Sequence, residues 1–279
     1  MTAQQELQQT INDMVDDYRG ILAADERAPT IKKRFDAIGV ESTEENRRFY
    51  RSLLLDTPDL GDYISGVILF EETLNQKNDN AELLPAVAWS PKIVPGIKVD
   101  KGTVPLPGAA GDIITRGLDG LADRLAIYKD QGARFAKWRE VYSITSTNPT
   151  SLGRHANAEV LARYAAVCQE RGIVPIVEPE VLMGGAHDID RCAEVTEQVL
   201  HAVFHALHLH GVRLEQMILK PNMVLPGKEA GRAAPQEIAA ATLRVLKRTV
   251  PAAVPSINFL SGGQGPEEAT ENLNAINQL

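Results

Sequence analysis

The sequence predicts an α/β fold, the (β/α)8 TIM barrel, in which helices cover a parallel sheet. Four apolar runs each end in a charged residue: PGIK at 95–98, FAKWR at 135–139, IVEPE at 176–180 and MILKPNM at 217–223. A strand that is apolar on both faces is typical of such a sheet. Strand candidates alternate with helical patterns, as in βαβ units. Their spacing of roughly 30–45 residues suits the eightfold barrel, which takes about 250 residues.

Length and composition favour one catalytic domain that handles a small anionic molecule. The 279 residues, 44% of them apolar, suffice for one buried core. No linker or charge block divides the chain, so a single domain over residues 1–279 is expected. The net charge of −8 argues against a nucleic-acid partner. Lysines that gather at strand ends of an acidic chain suit the capture of an anionic substrate.

Hydrophobic periodicity and turn residues predict the individual elements, taken in chain order. Strands are predicted at residues 20–24, 64–70, 93–98, 134–138, 173–177, 217–220 and 256–260. Helices are predicted at residues 6–18, 118–129, 159–169, 190–209, 235–248 and 267–276. Ser42 and Glu45 form a capping-box pattern before a further helix.

This pattern supplies seven strands where the barrel requires eight. No closing strand follows the helix predicted at 267–276, because the chain stops at Leu279. A gap would leave the first and seventh strands with unpaired apolar edges, which natural sheets avoid. We therefore expect the chain to be an incomplete version of a longer one. We also expect an open barrel, or a cleft between those two strands, and partly disabled chemistry.

Charged residues at the carboxyl ends of the predicted strands make an enzyme the leading interpretation. They are Lys98, Lys137, Arg139, Glu178, Glu180 and Lys220. In a barrel, Lys137, Glu178 and Lys220 would meet at the mouth. Nearby cations and partial burial favour the neutral amine of a lysine, which can attack a carbonyl while a glutamate moves the protons. The alternative is that the lysines extend into solvent.

Two further features have both a catalytic and an ordinary interpretation. The turn SGGQG at 261–265 follows the seventh strand and precedes a helix that begins near Pro266. Its backbone amides can hold a phosphate, although glycines are also common turn residues. Asp25 ends the first strand and is either a general base or a helix cap.

The sequence offers no convincing metal site, disulfide or membrane segment. His201, His205 and His208 share a helix face but lack the glutamate of the HExxH motif, so solvated histidines are the favoured interpretation. Cys168 and Cys192 form no CxxC motif and are expected to be buried thiols. No apolar stretch has the length of a membrane span, and the amino terminus resembles no targeting peptide. We expect a cytoplasmic protein without a metal or other cofactor.

The residues named above bring the chain close to a known family. The chain resembles the class I fructose-bisphosphate aldolases, the metal-free Schiff-base type, over nearly its whole length. The matching stretches are GILAADE at 20–26, EENRRFY at 44–50, GVILF at 66–70, GIKVDKG at 96–102, FAKWR at 135–139, VPIVEPE at 174–180, LKPNM at 219–223 and FLSGGQ at 259–264. The resemblance implies reversible cleavage of fructose 1,6-bisphosphate to dihydroxyacetone phosphate and glyceraldehyde 3-phosphate, in glycolysis, gluconeogenesis or the Calvin cycle.

The resemblance implies catalytic roles for five residues. Lys220 would form the iminium with the ketose carbonyl, while Glu178 and Lys137 move the protons. Asp25 would take the proton of the C4 hydroxyl as the C3–C4 bond breaks. Glu180 would orient the site by hydrogen bonding.

The resemblance also implies how substrate is bound. Lys98 and Arg139 would hold one phosphate, and Ser261 with Gly262 the other. Arg34 joins this substrate-binding set. The expected partners are phosphorylated sugars, and the chain is expected to form a homo-oligomer (a tetramer or dimer) without nucleic-acid or membrane partners.

The chain departs from the family pattern at several places. At residues 27–30 many relatives have serines that contact phosphate. The family's eighth strand, with its phosphate-binding arginine, and its carboxyl-terminal tail with a tyrosine have no counterpart here. Two other functions therefore stay open. One is a lysine-dependent carbon–carbon lyase for another sugar phosphate, and the other is a non-catalytic scaffold that binds partners or phosphorylated ligands.

Overall fold

A parallel sheet forms the centre of the fold. The computed structural model describes residues 1–15 and 18–279. The parallel strands are β1 (Gly20–Ala24), β2 (Ile64–Leu69), β3 (Val94–Lys98), β6 (Phe135–Tyr142), β7 (Val174–Val181) and β8 (Ile218–Leu219). They are hydrogen-bonded in the order β1-β2-β3-β6-β7-β8. The short strands β4 (Thr103–Pro105) and β5 (Ile113–Thr115) form a separate antiparallel pair, which the sequence pattern did not predict.

Helices alternate with these strands, as the periodicity predicts. They are α1 (Ala3–Met14), α2 (Ala28–Asp36), α3 (Glu44–Leu55), α4 (Leu84–Trp89), α5 (Leu121–Asp130), α6 (Ser151–Glu170), α7 (Ile189–Leu209), α8 (Pro235–Thr249) and α9 (Pro266–Asn277). The short helices α2 and α4 were not predicted. The predicted continuation of the first helix over residues 16–17 lies outside the described residues. Within the described part of the chain, no helix has the length and apolar character needed to cross a membrane.

The chain divides into two compact units, and a boundary between the units falls within each of the strands β6 and β7. The first unit comprises Met1–Val99, Gly120–Lys137 and Val167–Pro175. The second unit comprises Asp100–Asp119, Trp138–Ala166 and Ile176–Leu279. The candidate functional residues are therefore distributed over two separately packed parts of the chain.

In the first unit, the parallel ladder sets the register of the candidate lysines. β3 pairs with the start of β6 so that Lys98 lies beside Lys137, and Gly96 lies beside Phe135. Both strands are buried before they reach these lysines. Gly96 is required at its position because a Cβ there would clash with the Phe135 ring. The missing side chain lets the aromatic ring fill the space between the two strands.

In the second unit, an apolar cluster supports the chain that follows β8. Ile176 and Val177 of β7 pair with Ile218 and Leu219 of β8. The buried cluster joins this segment to helices α8 and α9, and its members are Met223, Leu225, Ile238, Ala239, Ala275 and Ile276. The segment directly after Lys220 is therefore packed against two helices and does not form an exposed loop.

The predicted strand ends were wrong for β6 and β7. The sequence predicted strands that end at residues 138 and 177, but both strands continue beyond these positions, to Tyr142 and Val181. The residues that follow the charges are themselves buried, and Leu182 N donates to Tyr142 O at 2.9 Å where the two strands end. Lys137 and Glu178 consequently lie within their strands.

Two other local predictions also need correction. The predicted seventh strand at 256–260 is reduced to one isolated bridge between Ile257 and Leu219, although Asn258 N still donates to Leu219 O at 2.9 Å. This segment is half-buried, unlike the fully buried strands β6 and β7. Helix α3 is capped by Thr43, not by Ser42, because the Thr43 hydroxyl accepts the Asn46 N–H at 3.1 Å.

We predict that Gly96→Ala lowers the free energy of unfolding by about 1–3 kcal/mol, because overpacking forces the Phe135 ring and the backbone apart. Urea denaturation measures the change. Gly20→Ala is the matched control in a parallel strand, since nothing lies within 4 Å of its Cβ. It should change the free energy by less than about 0.5 kcal/mol. Equal effects of the two substitutions would contradict this account of Gly96.

Candidate active site

The candidate residues of the first unit centre on a buried ion pair. Lys137 Nζ lies 2.8 Å from Asp25 Oδ2, and the two side chains are only 6% and 14% exposed. Asp25 directly follows β1, and Lys137 lies three residues into the sequence of β6. The pair contradicts the alternative that Lys137 extends into solvent. Asp25 does not cap the next helix, since the cap of α2 is Arg27 and no side chain caps that helix end.

Lys98 and Arg34, the other predicted site residues of this unit, are more open to solvent. Lys98 ends β3 beside Lys137 and is half-buried. Arg34 lies on α2, pairs with Glu26 through Nη1, and keeps 58% of its side chain exposed. An exposed guanidinium and an end-of-strand ammonium suit an anionic ligand that arrives from solvent.

Sequence reasoning missed two residues of this group, Glu26 and Arg51. Arg51 is almost completely buried and contacts both Glu26 and the backbone around Asp25. The helical pattern gave no signal for Arg51, because the apolar residues Phe49 and Leu53 are exposed whereas Arg51 lies on the buried face of α3.

The candidate residues of the second unit centre on a second buried pair. Lys220 Nζ donates to Glu178 Oε1 at 3.2 Å, and the side chains are 12% and 4% exposed. Lys220 follows β8 directly, and its backbone N–H donates to Val177 O at 2.8 Å. Two residues later, the Asn222 side chain accepts the Val181 N–H at 2.9 Å. The backbone on both sides of Lys220 is therefore tied to β7.

Arg139 and Glu180 form the second contact of this group. Arg139 Nε donates to Glu180 Oε2, and the arginine keeps 41% of its side chain exposed while the carboxylate is buried. The carboxylate holds the guanidinium at its Nε edge. A phosphate dianion matches such a half-exposed, pre-oriented fork.

The glycine-rich turn has the predicted conformation. Gln264 N donates to Ser261 O at 3.1 Å, which closes a tight turn over Gly262 and Gly263. Both glycines have positive φ values of 62° and 92°, a region that favours glycine. Pro266 is the first residue of α9, as the sequence predicts. The exposed Ser261 hydroxyl and the turn therefore stand directly before a helix amino terminus.

The histidines of α7 and the two cysteines were the remaining groups considered as metal ligands or reactive thiols. Within residues 1–15 and 18–279, no group of three or more His, Cys, Asp or Glu side chains is arranged to hold a metal ion. His201 lies 3.9 Å from Glu197 on the surface of α7. Cys168 and Cys192 are free and buried.

Comparison with known proteins identifies a family. The family model for class I fructose-bisphosphate aldolase, a glycolytic enzyme, matches residues 6–279. The cytosolic fructose-bisphosphate aldolase 4 of Arabidopsis thaliana is 58% identical over 262 residues, which are 94% of this chain and 67% of the relative. The cytoplasmic isozyme of Spinacia oleracea is 57% identical over 93% of this chain and 72% of the relative. The fructose-bisphosphate aldolase of Drosophila melanogaster is 54% identical over 99% of this chain and 77% of its own length.

A solved structure shows the same fold. Fructose-bisphosphate aldolase from Plasmodium falciparum, in a complex with TRAP and a small-molecule inhibitor, superposes with a TM-score of 0.97 at 51% identity. The match covers 99% of this chain and 80% of the other. Together with the parallel α/β sheet, it confirms the predicted fold class.

The second unit also contains a buried carboxyl group, that of Glu140, which is not among the candidate site residues predicted from the sequence. Glu140 is fully buried on β6 and accepts N–H groups from the Trp138 indole at 2.9 Å and from the Thr115 backbone at 3.1 Å. Burial raises the pKa of Glu140 from 4.5 to about 7, although the hydrogen bonds from Trp138 and Thr115 act in the opposite direction. Glu140 therefore joins β6 to the β4–β5 pair through a group that titrates near neutrality.

We predict that Glu140 makes the free energy of unfolding fall as the pH rises from about 4.5 to about 7. The carboxyl is protonated in both states below this window, and above it the folded state carries a buried charge. The loss should reach about 3 kcal/mol, since one pH unit corresponds to about 1.4 kcal/mol. Urea denaturation at pH 5 and pH 8 measures this loss. The free energy of unfolding of Glu140→Gln, taken relative to that of the unsubstituted protein, should be higher at pH 8 than at pH 5.

The exposed Glu237 on α8 supplies the control for this experiment. Glu237→Gln should give the same difference from the unsubstituted protein at both pH values. A pH-independent difference for Glu140→Gln would contradict the raised pKa of Glu140.

Proposed function

Because the chain belongs to the class I fructose-bisphosphate aldolase family, we propose that Lys220 forms a Schiff base with the ketone of fructose 1,6-bisphosphate. The protein then cleaves the sugar reversibly to dihydroxyacetone phosphate and glyceraldehyde 3-phosphate. The observation that carries this proposal is the burial of Lys220 beside the Glu178 carboxylate at 3.2 Å. A buried lysine with a carboxylate partner combines a nucleophile with a group that moves protons.

Glu178 gives the Schiff-base steps a route for their protons. The amine of Lys220 adds to C2 of the ketose, and the carbinolamine then loses water, which requires a proton on its departing hydroxyl. Glu178 takes a proton from the Lys220 ammonium before the amine attacks, and a second N–H proton passes to the carbonyl oxygen as the carbinolamine forms. Glu178 then returns its proton to the departing hydroxyl, so the step is balanced. Lys137, the second buried lysine, serves as an additional proton donor and a local positive charge.

Asp25 supplies the base for the carbon–carbon step. Its carboxylate takes the proton of the C4 hydroxyl, C4 becomes the aldehyde carbon, and the C3–C4 bonding electrons pass into the iminium as an enamine. The 2.8 Å contact with Lys137 places a positive charge beside the carboxylate and fixes its direction. Protonation of the enamine at C3 and hydrolysis of the iminium then release dihydroxyacetone phosphate.

Cationic side chains and the glycine-rich turn account for the two phosphates. Lys98 and Arg139 bind one phosphate, with Arg34 as a further cation of the substrate-binding set, and Ser261 with Gly262 binds the other. Arg139 has to divide its N–H donors between Glu180 and the phosphate, since Nε is already used. Glu180 thereby acts as a positioning residue for the phosphate-binding guanidinium.

Further properties of the family extend the proposal. Several of the relatives are named cytosolic or cytoplasmic, which supports a cytoplasmic location for this protein. We also propose that the chain forms one aldolase domain and that it assembles as a dimer or tetramer. The partly buried lysines favour an enzyme over a scaffold, because burying an ammonium group is costly unless the site uses it.

We predict that borohydride reduction in the presence of dihydroxyacetone phosphate attaches the triose to Lys220. Peptide mass spectrometry locates the adduct. Lys220→Arg should give no adduct and no turnover, because the guanidinium stays protonated and cannot attack the carbonyl. An adduct on Lys137 would overturn the assignment, and a panel of other sugar phosphates tests the alternative that another ketose is the substrate.

We predict that Arg139→Ala raises KM for fructose 1,6-bisphosphate about 10- to 100-fold, because a charge-assisted hydrogen bond contributes about 1.5–3 kcal/mol. The KM for fructose 1-phosphate should change much less, since that substrate lacks the second phosphate. Steady-state kinetics with both substrates measures the effect. An equal loss on the two substrates would mean that Arg139 does not bind the second phosphate.

A further inference from the structure

Arg51 forms an unusual buried contact with the backbone next to Asp25. It lies on α3 and is 1% exposed. Its Nε donates to Ala24 O at 2.8 Å, and its Nη2 donates to Glu26 O at 3.0 Å. These two carbonyl groups belong to the residues on either side of Asp25. One guanidinium therefore holds the backbone before and after the proposed base.

The two hydrogen bonds restrict the direction of the Asp25 side chain. The backbone torsions of Asp25 and Glu26 lie between the two carbonyl groups that Arg51 holds, so the contact restricts the backbone from which the Asp25 side chain projects. The carboxylate is then aligned with Lys137 Nζ at 2.8 Å. Asp25 follows the end of β1, beyond the strand's own ladder of hydrogen bonds. The hydrogen bonds from Arg51 therefore hold the backbone at Ala24–Glu26, where the ladder of β1 ends.

The same guanidinium also reaches a second candidate residue. Arg51 Nη2 lies 3.3 Å from Glu26 Oε2, while Arg34 pairs with the other oxygen of that carboxylate. Glu26 is buried and connects the buried arginine with the exposed one. Arg34 is therefore linked through the Glu26 carboxylate to the guanidinium that holds the backbone around Asp25.

The burial of a charge at Arg51 favours a positioning role over a role in stability alone. Burial lowers the pKa of the Arg51 guanidinium, and the nearby Glu26 carboxylate opposes this effect. An arginine nonetheless stays charged in a folded protein, so the fold contains a buried cation. A well-packed apolar side chain would stabilise a fold at least as well as a buried ion pair. What the apolar side chain lacks is a planar, forked donor that fixes two carbonyl groups at once.

We propose that Arg51 is a positioning residue for the carbon–carbon cleavage step, acting through the backbone on both sides of Asp25. The inference rests on the proposed function, in which Asp25 is the base. It assigns Arg51 no contact with substrate. Schiff-base formation by Lys220 does not use Asp25, so the two steps of the reaction should respond differently to a change at Arg51.

The test compares Arg51→Lys and Arg51→Met with the unsubstituted protein. Both variants should lose about 100-fold in kcat for fructose 1,6-bisphosphate cleavage, the size of loss that a displacement of about 1 Å can cause. KM and the yield of the borohydride adduct with dihydroxyacetone phosphate should change less than about threefold. Arg47→Lys is the matched control, because Arg47 lies on the same helix but donates to Glu72, and it should retain full kcat.

Asp25→Asn separates a failure of this inference from a failure of the proposed function. It should lose cleavage and keep the adduct, and retained cleavage would instead refute Asp25 as the base. Retained cleavage in both Arg51 variants would overturn the inference. So would a parallel loss of adduct and cleavage with a lowered melting temperature, which indicates a general structural defect. If Arg51→Met does not fold, Arg51→Lys decides the matter by the same measurements.

A crystal structure of Arg51→Lys gives a readout that does not depend on activity. The lysine can reach one of the two carbonyl groups but cannot hold both. We expect the Asp25 carboxylate to move away from Lys137 by more than about 0.5 Å, the tolerance of a productive catalytic geometry. An unchanged contact between Asp25 and Lys137 would contradict the inference.

Discussion

The burial of lysine side chains next to strand carboxylates is the constraint on which the rest of the structure depends. A buried ammonium without a partner costs several kcal/mol. Lys137 and Lys220 can therefore be buried only because Asp25 and Glu178 are held 2.8 and 3.2 Å away. Each pair lies within one compact unit of the chain. The sheet register and the packing below these residues serve to keep each lysine beside its carboxylate.

The two pairs divide the proposed chemistry in a consistent way. In the proposed mechanism, Lys220 and Glu178 make and hydrolyse the iminium with Lys137 as an additional proton donor, and Asp25, ion-paired with Lys137, acts as the base that breaks the carbon–carbon bond. Each pair has its own support from the backbone. Asn222 ties the segment after Lys220 to β7, and Arg51 holds the residues around Asp25. This arrangement explains why each half of the reaction can be tested separately.

The sequence predicted the parallel sheet, because its buried strands appear as apolar runs that are local in the chain. Apolar runs followed by lysine or glutamate marked the strands that carry Lys137 and Glu178, and the strand that Lys220 follows. The ends of those strands were not predicted correctly. Strand length depends on whether the neighbouring strand continues to pair, as it does up to Tyr142 and Val181, and residue patterns do not contain that information.

Residues that act through tertiary contacts were the ones that sequence reasoning missed. Arg51 is separated by about 25 positions from the backbone that it binds, and an arginine within a helix is ordinarily a surface residue. Glu140 was passed over for a similar reason, since only the burial of β6 against β5 makes its carboxyl unusual. The pairing of Arg139 with Glu180 also required the structure, because the two residues lie on different strands.

The most direct test of this division of labour is the identity of the covalent species that accumulates when Asp25 is replaced. Asp25→Asn is mixed with fructose 1,6-bisphosphate, reduced with borohydride within one turnover time, and digested for peptide mass spectrometry. The account predicts that Lys220 carries the intact six-carbon bisphosphate, because iminium formation proceeds while cleavage is blocked. A three-carbon adduct formed at the unsubstituted rate, or no adduct on Lys220, would contradict it.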